Sequence, residues 1–341
     1  MQKFRRIFVF GSGFSNSFCS NMPTLPKLTK SLFNKETMES LCTDNFTELF
    51  NLVDKFKKID KSICTIEKLT TTIFSRRIYS DSLEREKYNK LKYQIKRYIY
   101  KTIDKWEVDK ENEQILRDFL IRCRVSLGLK KIHKKTNLII TFNYDLLIEK
   151  FLHLKVDEIE KSNRVLGHPE YIINLSKHDR IPRSMPRPHT DPIHIIKLHG
   201  SFNWFQVKGS KNIDISSIYI VNPWDESRII YDNDNPIFIP MAHGKELFLY
   251  GSLYNFLWAR AFQYIHDAEE IYFIGYGFPE MDINNLYNFS DPMIKRKIKK
   301  IVILDNSDNQ NELERLKRLF GDRKVINKNA KKFIQEDVEM P

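Results

Sequence analysis

At 341 residues, with 41% hydrophobic and 29% charged side chains, the chain is long enough to bury an ordinary core, which excludes a stapled mini-protein. No apolar run approaches the roughly 20 residues that a membrane span needs. The formal charge of +12, from 56 Lys and Arg against 44 Asp and Glu, would suit nucleic acid, an acidic protein or a polyanionic cofactor. The basic stretches Lys55 to Lys61, Arg85 to Lys105 and Lys295 to Lys300 read instead as solvated helix faces, and no recognised nucleic-acid module accompanies them. The four cysteines, Cys19, Cys42, Cys64 and Cys123, form no C-x-x-C pair. That argues against a structural zinc site or a disulfide framework and fits a reducing cytoplasm.

In chain order, Arg5 and Arg6 precede a short apolar run that stops at Gly11 with no small-residue cleavage site, so Arg6 to Phe10 is a buried strand and not a signal peptide. Gly11-Ser12-Gly13-Phe14-Ser15 then turns into a helix. From Lys27 to about Lys131 the chain is lysine-rich, with apolar residues every third or fourth position, which predicts a mainly helical inserted layer. Asn137 to Thr141 is a second buried strand, leading into Phe142-Asn143-Tyr144-Asp145 and an amphipathic run to Leu152. Residues 155–192 carry several prolines and no periodicity, an irregular excursion that returns at the strand Ile193 to Leu198, just before His199-Gly200. A helix over Lys245 to Ala268 precedes a strand, Ile271 to Ile274, that ends in Gly275-Tyr276-Gly277. Ile301 to Leu304 repeats the pattern before Asp305-Asn306, Leu313 to Phe320 reads as helix, and Val325-Ile326 as a last short strand. This alternation predicts an α/β fold over residues 1–341: a Rossmann-like, mostly parallel sheet with a helical insertion after the first strand. In such sheets ligands bind beyond the carboxyl ends of the strands, where all five polar motifs fall.

Each motif admits two readings. Gly11 to Ser15 suits a phosphate loop, but equally a tight turn that needs glycine for packing, and it lacks both the third glycine of the dehydrogenase fingerprint and the lysine of a P-loop. Asn143 has an amide able to bind a ribose hydroxyl or a water, with Asp145 to orient it; either residue could instead cap the following helix. His199, at a strand end beside Gly200, suits a general base. Gly275 and Tyr276 would let backbone approach a dinucleotide, and Asp305 or Asn306 could bind the adenosine ribose, or all could be ordinary turns. Glu280 and Asp282 could be first-turn helix residues answering the helix dipole.

Taken in order, Val9-Phe10-Gly11-Ser12-Gly13-Phe14-Ser15, Thr141-Phe142-Asn143-Tyr144-Asp145, Lys197-Leu198-His199-Gly200-Ser201 and Ile274 to Asp282 resemble the sirtuin-like family of bacterial proteins, in the branch found in antiphage defence. Ile66-Glu67 resembles a further family feature. The resemblance implies a single sirtuin-like domain that takes NAD, with Asn143, His199 and Asp145 catalytic. It places Gly11, Ser12, Gly13, Phe14, Ser15, Gly275, Tyr276 and Asn306 on the NAD. The four-cysteine zinc module of the family's protein deacylases has no counterpart here, nor does Tyr-Gly-Phe-Pro-Glu match their peptide-pairing segment. The expectation is therefore a metal-free NAD hydrolase releasing nicotinamide and ADP-ribose, with cyclic ADP-ribose if adenine competes with water. It would act in abortive infection, gated by homo-oligomer assembly or by a partner such as a helicase-like ATPase or a phage-derived activator. A zinc-free deacylase or ADP-ribosyltransferase, and a non-catalytic NAD- or ADP-ribose-binding subunit, stand as alternatives.

Overall fold

The first strand, β1 (Lys3–Phe10), is apolar on both faces: Ile7 and Val9 enter one core cluster, Phe8 and Phe10 another, and all four are fully buried. A strand buried on both sides belongs inside a parallel sheet covered by helices. The computed structural model of the chain contains that sheet. It describes residues 3–34, 36–37, 40, 46–59, 64–75, 81–104, 106–124, 135–152, 169–171, 193–206, 217–220, 236–242, 251–279, 282, 297–304, 313–314, 317–318, 321 and 325–328.

After β1 come α1 (Ser12–Phe18), α2 (Leu25–Leu32), α3 (Thr47–Ile59), α4 (Ile66–Ser75), α5 (Ser82–Ile103) and α6 (Lys110–Arg124), and only then β2 (Lys135–Thr141). The helical insertion expected after the first strand is present. Its longest member shows why the lysine-rich sequence folds this way. The Asp81 side chain accepts from the Glu84 amide to start α5, and Leu91, Ile95, Tyr98 and Ile99 form a buried stripe at helical spacing; Lys87 and Lys90 face outward, whereas Lys96 is buried and donates to the Pro236 carbonyl. The remaining elements are α7 (Leu147–Leu152), β3 (Pro169–Tyr171), β4 (Ile193–Lys197), β5 (Trp204–Gln206), β6 (Ile218–Ile220), α8 (Gly251–Asp267), β7 (Glu270–Ile274), β8 (Lys300–Leu304) and β9 (Val325–Lys328). Leu313, Glu314, Lys317 and Arg318 are helical, within the segment predicted as helix.

The main sheet runs β3-β4-β2-β1-β7-β8-β9, with every neighbouring pair parallel. The chain therefore builds outward from β1 in two directions, and the order reverses between β1 and β7. That reversal opens a crevice at the carboxyl edge, the place where open α/β sheets bind ligands. Helices of the insertion cover the Phe8 and Phe10 face through residues such as Leu28, Leu49, Ile66, Ile95 and Phe119. On the opposite face α8 packs Leu253, Leu257, Trp258, Ala261 and Ile265 against Ile7, Val9, Ile140 and Phe273.

Three short strands escape a reading by periodicity. β3 lies within the stretch expected to be irregular and pairs in parallel with β4, while β5 and β6 form a separate antiparallel pair. Three residues are too few to display a period of two. The rest of 155–192, together with Glu280, Met281, Asp305 and Asn306, lies outside the described residues. Among the described residues, no helix is long and apolar enough to cross a membrane.

Candidate active site

The residues that follow β1, β2, β4 and β7 meet at the carboxyl edge around a cavity of about 210 Å³. Gly11, Ser12 and Ser15 line it from the first motif, Asn143 and Asp145 from the second, His199 from the third, and Tyr276 and Gly277 from the fourth. Met22 and Pro23 between α1 and α2, Leu25 of α2, Ile103 of α5 and Met241 add an apolar wall.

Asn143 is held by a directional chain of hydrogen bonds. Its Nδ2 donates to the Gly11 carbonyl and to Ser15 Oγ, both at 2.9 Å, and Ser15 Oγ donates in turn to Asp145 Oδ2 at 2.9 Å. Because both amide hydrogens are engaged, Oδ1 is the atom that Asn143 offers to an occupant of the cavity. The other Asp145 oxygen, Oδ1, accepts from the Leu147 amide at 3.1 Å, so Asp145 also anchors the start of α7. The capping and orienting readings of this residue are thus compatible. Burial pushes the Asp145 carboxyl above its ordinary range, opposed by the Lys197 ammonium and by the Leu147 and Ser15 donors.

His199 sits on a turn that needs Gly200 at φ 80°, a left-handed conformation open to glycine. The turn is pinned to the segment at 237–239, where the Ser201 amide donates to Ile237 O at 3.0 Å and the Ile239 amide donates to His199 O at 2.8 Å. The imidazole is nearly buried, edge-on to the Phe142 ring, and its Nε2 lies 3.7 Å from Asp282 Oδ1. Asp282 is itself buried, and its Oδ2 accepts from the Tyr276 hydroxyl at 3.0 Å. Tyr276 stacks on Phe142 with ring centroids 4.2 Å apart. Sequence reasoning allowed Asp282 to be a first-turn helix residue; it lies in a short helical turn, its amide donating to Pro279 O at 2.8 Å, and its carboxylate faces His199. Tyr144 packs nearby; burial, with the negative charges of Asp282 and Glu67, holds its hydroxyl neutral well above the usual range. Glu67, on α4, has a buried Oε2 with no hydrogen-bond partner among the described residues.

Exchanging Asp282 for asparagine removes the charge facing His199 and leaves an acceptor for Tyr276. If His199 acts as a base, Asp282→Asn lowers kcat on the order of tenfold or more with substrate affinity retained. Single-turnover measurements decide this, and an unchanged kcat would make Asp282 a packing partner only.

Several residues expected on a cofactor are placed elsewhere. Phe14 is in the core, stacked on Phe10 at 4.0 Å and packed against Phe18 and Phe119, and does not line the cavity. Gly13 and Gly275 do not line it either, because they pack backbone on backbone: the Gly13 amide donates to Gly275 O at 2.9 Å. The Gly11 amide is likewise paired, with Ile274 O at 3.1 Å, and that of Phe14 with Gly11 O at 3.0 Å. The β1 turn packs so closely on the end of β7 that a Cβ at 13 or 275 would overlap backbone atoms. Ser15, by contrast, lines the cavity, and its hydroxyl links Asn143 to Asp145.

A family model described as SIR2-like domain matches residues 137–323. Among solved structures, one described as the crystal structure of a Sir2 homolog–NAD complex aligns over 97% of this chain and 86% of that chain, with 12% identity and a TM-score of 0.39. No curated protein matches the chain.

Proposed function

The chain belongs to the SIR2-like domain family, whose chemistry is NAD-dependent, and from that premise we propose that it is an NAD glycohydrolase, with the whole chain acting as one sirtuin-like catalytic unit. The observation that carries this reading is the meeting of Asn143 and His199 on one cavity. Asn143 Oδ1 would accept from the ribose or from the attacking water. The bond between C1′ of the ribose and the nicotinamide nitrogen breaks, and its electron pair leaves with nicotinamide. Water oxygen bonds to C1′, its proton passes to the His199 imidazole and on to solvent, and Asp282 steadies the resulting positive ring. Orientation of the water and removal of its proton are the two contributions asked of the protein. The lining suits the nicotinamide riboside half of NAD: an accepting amide carbonyl, a histidine–carboxylate pair and an apolar wall from Met22, Pro23, Leu25 and Ile103.

Unrestrained loss of NAD would kill the cell that makes this protein, so the reading includes a gate: assembly of several copies, or a partner such as a helicase-like ATPase or a phage component. The setting is antiphage defence by NAD depletion, that of the bacterial proteins the four motifs resemble. The test is a time course of nicotinamide and ADP-ribose release from NAD at high protein concentration with no acyl peptide. Equal release of both products supports hydrolysis. Release only after an acyl-lysine peptide is added would make the protein a deacylase, and NAD binding without release, in cells challenged with phage as in the tube, would make it a binding subunit.

A further inference from the structure

Beneath the cavity lies a buried ion pair to which the reaction as written assigns no role. Lys197, the last residue of β4, is 1% exposed, and its Nζ lies 2.9 Å from Glu149 Oε1 on α7, whose side chain is 2% exposed. The same ammonium donates to the carbonyls of Asp145 and, at 3.4 Å, of Tyr144. An ammonium has three hydrogens, and here each has an acceptor. Glu149 Oε1 also accepts from the Tyr171 hydroxyl of β3 at 2.7 Å, so the network reaches the sheet edge.

Two features argue for a role beyond stability. Taking both charges out of water is costly, and a well-packed apolar pair commonly serves stability as well or better. The acceptors, moreover, are the backbone carbonyls of the loop at 142–146, which lies between β2 and α7 and carries Asn143. The donor stands two residues before His199. One buried cation therefore ties the strand that delivers His199 to the loop that delivers Asn143.

Resting on the glycohydrolase reading, we infer that Lys197 is a positioning residue whose ammonium sets the placement of Asn143 against His199. Loss of that hold misplaces the loop without removing any group that touches the substrate, and an error near 1 Å in such a site costs about 100-fold in rate.

The test is the double variant Lys197→Met/Glu149→Gln, which removes both charges of the pair together, keeps an acceptor for Tyr171 and leaves Asp145 its Ser15 and Leu147 donors. It is expected to fold, to bind NAD within about threefold of the parent, and to lose about 30- to 100-fold in kcat. Its crystal structure reads the same claim without turnover, with the loop at 142–146 displaced from His199 by about 1 Å or more. A superimposable loop, a folded variant with kcat within about threefold of the parent, or a variant that cannot fold would each overturn the inference, the last because the pair would then be a stability element. A parent protein that releases no nicotinamide strikes the glycohydrolase reading alone, since the loop displacement is still measurable.

Discussion

Asn143→Ala and His199→Ala are each expected to lower nicotinamide release by at least about 100-fold, the scale on which positioned acid–base and orienting groups act. Neither should unfold the protein. Asn143→Ala removes the donors to Gly11 O and Ser15 Oγ, which costs roughly 1–3 kcal/mol for partners left unsatisfied, less than a typical domain's stability. His199→Ala removes a ring that contacts Phe142, while its turn stays pinned through backbone bonds between 199–201 and 237–239. The measurement is product release alongside NAD affinity and a thermal melt of each variant. Full turnover in either one removes that residue from the mechanism.

Gly275→Ala is expected to be the most damaging small substitution on the scaffold. Gly275 has φ 59°, where a side chain is strained by about 1–2 kcal/mol, and an added Cβ would overlap the Phe14 amide nitrogen and the Gly13 carbonyl carbon. Both are backbone atoms of the first turn of α1, so relief requires moving that turn, at a further cost of about 1–3 kcal/mol. A loss on the order of 3 kcal/mol in denaturant unfolding should result. Gly277, in the same Gly-Tyr-Gly motif, is the control: it is exposed and a Cβ there would meet nothing within 4 Å. Gly277→Ala should stay within about 0.5 kcal/mol of the parent in stability. Equal stability of the two variants would show that the close packing at 275 is not needed.

These variants also separate what a linear reading reaches from what it does not. Strands Arg6 to Phe10, Asn137 to Thr141 and Ile271 to Ile274 are legible because uninterrupted apolar runs ending at glycine or a polar cluster have few other stable forms. Since such strands lie parallel, their following residues share one edge, so Asn143 and His199 could be nominated without coordinates. The glycines were harder. A Gly-x-Gly turn looks the same in sequence whether or not it lets two backbones touch, and the contact of Gly13 with Gly275 is visible only in the fold. Phe14 followed the same logic, being next to the turn in sequence but pointing into the core.

By itself, then, the sequence determined the α/β class, the helical insertion and the identity of the strand-end motifs, because hydrophobic periodicity and turn chemistry are local properties. The tertiary structure alone decided which side chains face one another across the cavity. Asp282 meets His199, Ser15 links Asn143 to Asp145, and Lys197 is buried on Glu149 although a lysine in a strand reads as solvent-facing. Those pairings depend on the strand order β4-β2-β1-β7. Electrostatic and hydrogen-bond partners drawn from distant parts of the chain leave no periodic trace in it.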